Sequence, residues 1–168
     1  EDAIHEIVFP LKKTTEDVRI ENMNLWIIDE KLAYHYFLAS DKPLNQIGET
    51  IEIDSENRPD LLIFNRPFAF ADSGPPFSAI VIIEFKRPAR NDYSRKEEKN
   101  PILQVYDYIA LLKEGKAKDR RGVPINVPDH LPIYAYIVCD LTPTLQKQAR
   151  DYQLTKTPDS QGYFGYHK

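Results

Sequence analysis

The chain has 168 residues, with 22 Lys and Arg against 26 Asp and Glu, a net charge of -4, and 42% hydrophobic residues. That size suits one domain with a substantial core, and the acidic balance excludes a protein that holds nucleic acid through net charge alone. The single cysteine, Cys139, excludes an internal disulfide and a zinc site built on paired cysteines, and no apolar run is long enough to span a bilayer.

In chain order, residues 3–9 predict a short helix halted by Pro10. Leu25, Ile28, Leu32, Tyr36 and Ala39 recur at helical spacing, which predicts a longer helix over 23–39 ended by Ser40-Asp41-Lys42-Pro43. Alternation at 49–53 predicts a strand, and Asp60 opens a second over 60–65. Residues 66–78 carry Pro67, Gly74, Pro75 and Pro76 and read as an irregular excursion. Ala79-Ile80-Val81-Ile82-Ile83-Glu84-Phe85-Lys86 reads as a buried central strand.

Asn100-Pro101 is a strong helix start, with Ile102, Val105, Tyr106, Ile109 and Leu112 forming the apolar stripe and Gly115 closing it. A polar loop follows over 116–130. A buried strand is expected over 133–140, with Cys139 as a small buried hydrophobe, and then a helix capped by Thr142-Pro143 and running to Tyr152. Tyr163 to Tyr166 are assigned to an edge strand. The order is α-β-β-β-α-β-α. The helix over 100–115 is long enough for a parallel crossover, so an α/β fold with a mixed central sheet flanked by helices is expected.

Two strands in this reading end in charge. Side chains alternate along a strand, so Glu84 and Lys86 share one face and Phe85 takes the other. With Asp60 at the start of its own strand, the chain offers two carboxylates and a lysine. Hard carboxylate oxygens suit Mg²⁺ or Mn²⁺, which keep several waters and take substrate phosphate in the remaining positions. The set therefore reads as a metal-dependent phosphodiesterase site. Basic residues follow it at Arg87, Arg90, Arg95, Lys96 and Lys99, and again at Lys116, Lys118, Arg120 and Arg121, which a phosphate backbone would favour.

Pro59-Asp60 followed by Glu84-Phe85-Lys86 resembles the signature of the PD-(D/E)xK nuclease superfamily, whose core order of helix, three strands, helix and strand matches residues 24–140. Gln104-Val105-Tyr106-Asp107-Tyr108 resembles the Q-x-x-x-Y element of its exonuclease-like branches, and those two side chains lie one helical turn apart. Asn24 to Glu30 and Glu84 to Pro88 are similar to nuclease-like domains appended to larger bacterial proteins, some with ATPase modules.

The resemblance implies a restriction-endonuclease-like core, about residues 24–153 of a single domain over 1–168. It also implies Mg²⁺ or Mn²⁺ ligation by Asp60, Glu84 and the Phe85 carbonyl. Lys86 would position the attacking water or neutralise the phosphate, with Gln104 and Tyr108 beside it. Glu30, on the helix before the sheet, is the candidate for a further acid, and Arg87, Arg90, Arg95 and Lys96 would contact the nucleic acid.

These features lead to an expected DNA nuclease in the cytoplasm, with no membrane association. A start at Glu1 suggests a domain cut from a larger parent chain, and a homodimer stays open. The competing reading is the same fold as a catalytically inactive nucleic-acid-binding or assembly module. Ordinary structural roles are also available: an ion pair for Glu84 and Lys86, helix packing for Gln104 and Tyr108, an exposed helix position for Glu30, and a satisfied, partly buried imidazole for His35.

Overall fold

The run Ala79–Phe85 contains no polar alternation, and it lies in the interior of a sheet with all seven residues buried. A computed structural model describes residues 2–44, 56–65, 78–94, 100–114, 127 and 130–166. Its main sheet comprises β1 (Phe37–Ser40), β2 (Leu61–Asn65), β3 (Ala79–Phe85) and β4 (Ile133–Val138), in the order β1-β2-β3-β4. The pairings of β1 with β2 and of β2 with β3 are antiparallel, whereas β3 and β4 run parallel. A parallel neighbour needs a crossover, and α2 (Pro101–Lys113) supplies it. The fold is thus α/β with a mixed four-stranded sheet flanked by helices.

Strand alternation divides the core in two. Leu62, Phe64, Ile80 and Ile82 pack with Val105, Tyr108, Ile109 and Leu112 of α2. The intervening residues Leu61, Ile63, Val81, Ile83 and Phe85 pack on the other face with Val8, Phe9, Leu25 and Leu32. Val8 belongs to α1 (Asp2–Val8), the short helix that Pro10 was expected to stop. Asn100 caps α2 as expected, its side-chain oxygen accepting from the N–H groups of Ile102 (3.1 Å) and Leu103 (3.2 Å).

The long helix expected over 23–39 does not form. Its place is taken by 3₁₀ turns at Leu25–Ile27 and Glu30–Tyr34 and then by β1. Asp29 interrupts the helical run, because its carboxylate accepts from Lys31 N–H at 3.0 Å and restarts the chain as a new turn. From Phe37 onward, pairing with β2 buries residues on both sheet faces, which one helix stripe cannot do. Leu25 and Leu32 are still buried, so the apolar spacing marks the right residues in the wrong element. The strand expected at 49–53 lies outside the described residues, as do most of the loops over 66–78 and 116–130.

Three further expectations are corrected at the far edge. The strand β4 was expected to be buried, yet Tyr134 is 53% exposed. The strand lies at the end of the sheet order, and Ile133, Ala135 and Ile137 border an apolar groove of about 420 Å³ shared with α2, the helix α3 (Pro143–Asp151) and the C-terminal hairpin. Cys139, beside this groove, is half-buried. Tyr163 and Phe164 do form a strand, β6, but it pairs with β5 (Thr155–Lys156) in a separate two-stranded sheet.

Candidate active site

Asp60 immediately precedes β2, and Glu84 is the next-to-last residue of β3. In the antiparallel register Leu61 faces Ile83, so continuing the ladder by one position sets Asp60 opposite Glu84. The alternation that carries Leu62, Ile80 and Ile82 toward α2 carries Asp60, Glu84 and Lys86 to the same face. One sheet end therefore gathers both carboxylates and the lysine.

Each of these groups is held. Asp60 Oδ2 accepts from the Phe85 N–H at 2.6 Å, which fixes that carboxylate against the strand end bearing Glu84. Glu84 and Lys86 are 4% and 6% exposed, and Lys86 Nζ donates to Glu84 Oε1 at 2.5 Å. Charges so far from water persist only when compensated, and here each compensates the other. Phe85 points into the opposite core, where its ring lies 5.2 Å from that of the buried His5. His5 Nε2 in turn lies 2.9 Å from Ser40 Oγ, so a buried polar pair braces the strand end from behind.

The helix α2 closes the site from the sheet's other side. Tyr108 is buried, and its hydroxyl donates to the Arg58 carbonyl at 3.2 Å. Burial, followed by the negative fields of Glu84, Asp60 and Asp107, holds that hydroxyl well above the usual tyrosine range, so it stays protonated. That both carboxylates act on the same hydroxyl places Tyr108 with them. Gln104, one turn earlier, lines an open groove of about 470 Å³ with Asn57, Asp107, Tyr108, Leu111 and Glu114. Gln104 and Tyr108 thus share this groove, and Tyr108 links it to the charged sheet end.

Other sequence candidates separate from this cluster. Glu30 is exposed on a 3₁₀ turn, in the layer whose Leu25 and Leu32 pack against the opposite sheet face. Its neighbour Asp29 caps that turn and accepts from Tyr136 Oη at 3.3 Å. Arg87 is exposed one residue beyond Lys86. Arg90 is engaged within the protein, with Nε donating to Asp92 Oδ1 at 2.9 Å and its guanidinium lying 5.2 Å from the centre of the Tyr93 ring. Tyr93 itself is buried. Arg95 and Lys96 lie outside the described residues.

His35 is a satisfied imidazole, with Nδ1 2.9 Å from Leu32 O and Nε2 3.0 Å from Thr15 Oγ1. Burial pushes the Cys139 thiol up to about 11, Asp140 adds to the shift, and the charge of Lys86 opposes it. A thiol so raised is a poor nucleophile at neutral pH.

Asp60, Glu84 and the Phe85 carbonyl constitute a hard oxygen donor set of the kind Mg²⁺ and Mn²⁺ take. The residues fit such an ion by donor chemistry and by the adjacency of the two carboxylates. Among the described residues, no three His, Cys, Asp or Glu side chains gather to hold a metal, so a backbone oxygen and waters would complete the shell. Residues the motif reading passed over also border the site: Arg58, Asn57 and Asp107. Their signal was adjacency alone, since Arg58 directly precedes Pro59-Asp60 and Asp107 lies between Gln104 and Tyr108. Comparison with family models, with curated proteins and with solved structures returns no match.

Proposed function

We propose that the chain is a Mg²⁺- or Mn²⁺-dependent nuclease domain of PD-(D/E)xK type that hydrolyses phosphodiester bonds in DNA. The observation that carries this reading is the convergence of Asp60, Glu84 and Lys86 on one face at one sheet end, with Tyr108 of α2 beside them. Asp60 and Glu84 would hold the ion, which when bound supplies a Lewis acid for the phosphate and lowers the pKa of a bound water. Lys86, held by Glu84, would neutralise charge developing on the phosphate oxygens. Tyr108, protonated throughout the neutral range, would serve as a hydrogen-bond donor and not as a base.

A second reading is favoured by the closed contact between Lys86 and Glu84, which satisfies both charges within the protein. On that reading the same face is a non-catalytic nucleic-acid-binding or assembly surface. Cleavage of linear, circular and single-stranded DNA in Mg²⁺ or Mn²⁺ separates the two. Wild type is expected to cleave at least one substrate, and folded Asp60→Asn, Glu84→Gln and Lys86→Met variants are expected to lose that cleavage. Failure of folded wild type on all three substrates, or cleavage that survives in Asp60→Asn and Glu84→Gln, would sink the nuclease reading. Cutting of the circular substrate would identify endonuclease action.

A further inference from the structure

Arg58 lies two residues before Asp60, and its backbone carbonyl holds the Tyr108 hydroxyl at the site. Its side chain turns to Asp41, with Nε 3.3 Å from Asp41 Oδ1. Asp41 is a turn residue at φ 43°, and its N–H donates to the Asp60 carbonyl at 2.8 Å, so the turn that grips the arginine is fastened to the segment bearing the site. A contact through Nε anchors one edge of the guanidinium, whose Nη1–Nη2 end edge is a separate pair of donors. The Arg58 side chain is 52% exposed, whereas that of Asp41 is 20% exposed. So accessible a pair contributes little to stability. The Arg58 charge also draws the Tyr108 hydroxyl partly back toward its ordinary range, which puts the guanidinium within electrostatic reach of the group that both carboxylates act on.

We infer that Arg58 is a phosphate-binding residue of the active site, oriented by Asp41 to present its Nη fork to a backbone phosphate of the nucleic acid next to the scissile bond. The inference rests on the nuclease reading and extends it to a residue outside the motif. Two carboxylates at a sheet end repel a polyanion, and the one ammonium of Lys86 is shared between Glu84 and the reacting phosphate. A substrate phosphate therefore needs a cation at the rim, and a guanidinium fork matches phosphate oxygens in pairs where an ammonium offers a point charge.

The test is fluorescence anisotropy of labelled single-stranded and duplex oligonucleotides over a series of NaCl concentrations, without divalent metal so that nothing is cut. Arg58→Ala should weaken binding about tenfold or more. It should also make the log-log salt dependence shallower by about one, the mark of one lost phosphate contact. Arg58→Lys should fall between. Asp41→Asn removes the competing negative charge but keeps an amide oxygen that can accept from Nε and orient the guanidinium, so it should bind as well as wild type or better. Arg19→Ala, an exposed arginine elsewhere on the surface, controls for loss of one charge and should leave binding unchanged. Equal affinity and equal slope for wild type and Arg58→Ala would overturn the inference while leaving the nuclease reading standing. Equal losses in Arg58→Ala and Asp41→Asn would overturn it in favour of a structural ion pair. A wild type that binds neither oligonucleotide would overturn this inference and leave the nuclease reading to the cleavage assay.

Discussion

Glu84 and Lys86 are nearly withdrawn from water and compensate one another through the contact of Lys86 Nζ with Glu84 Oε1. Removing one member strands the other as a buried charge, so Lys86→Ala should destabilise the fold by about 3–5 kcal/mol. The double variant Glu84→Gln/Lys86→Met should recover most of that loss, as measured by urea unfolding, because neutral groups need no counter-charge. His35 makes a different demand. Its Nδ1 faces a carbonyl, and its Nε2 faces a Thr15 hydroxyl whose oxygen already accepts from Leu38 N–H at 2.8 Å. The carbonyl requires Nδ1–H as donor, and in the neutral ring that burial favours, Nε2 accepts from the Thr15 hydroxyl.

Burial accordingly lowers the His35 pKa from 6.5, the Leu32 carbonyl opposing part of the shift. The unfolded chain then binds a proton at a pH where the folded chain does not, so stability is complete above 6.5 and declines as the pH falls toward the folded value. Unfolding midpoints followed downward from neutral pH should show this decline, and His35→Asn should remove its share of the slope. Of these groups, the charged pair and the half-buried imidazole were legible in sequence. Charge at the end of an apolar strand and a histidine among aromatics are local patterns. Arg58 was not legible as a site residue, because its significance comes from Asp41 and Tyr108, which are distant in the chain.

Helix α2 shows how completely local chemistry can specify an element. Asn100 provides the cap oxygen, Pro101 needs no N–H partner at the first position, and the stripe at 105, 109 and 112 meets the sheet. Helix α3 starts differently. Thr142 occupies the cap position, but its hydroxyl donates to the Arg90 carbonyl at 2.9 Å. The Thr144 N–H is satisfied by Asn91 Oδ1 at 3.2 Å, and the Thr144 hydroxyl donates to the same oxygen at 2.8 Å. The cap is borrowed from the segment that follows β3, and Ala89 N–H to Asp140 Oδ2 at 2.6 Å adds a second tie. Asn91→Ala should therefore cost about 1 kcal/mol. It should speed hydrogen exchange at the Thr144 amide, whereas Thr142→Val should leave that amide protected. A chain read in sequence assigns the cap to the nearest suitable residue and so chooses Thr142. Over 23–39 the same kind of local reading yields a helix, and pairing with β2 overrides it, because a strand there buries Leu38 on one face and Phe37 and Ala39 on the other.

In the molecule as a whole, one sheet separates two apolar clusters, and everything bearing on the candidate chemistry lies on the α2 side. Period-2 alternation in an apolar strand already dictates that Glu84 and Lys86 emerge together and that Phe85 opposes them, since a strand has only two faces. Composition and the Asn100-Pro101 start likewise foretell an α/β chain with a crossover helix. Which elements stand beside those residues is a matter of long-range pairing. The antiparallel register sets Asp60 against Glu84. The crossover brings Tyr108 to them, and the layer formed by α1 and the 3₁₀ turns leaves Glu30 on the far side of the sheet. Backbone hydrogen bonds and apolar burial between segments tens of residues apart carry that information, and no local spacing encodes which distant strand or helix will provide them.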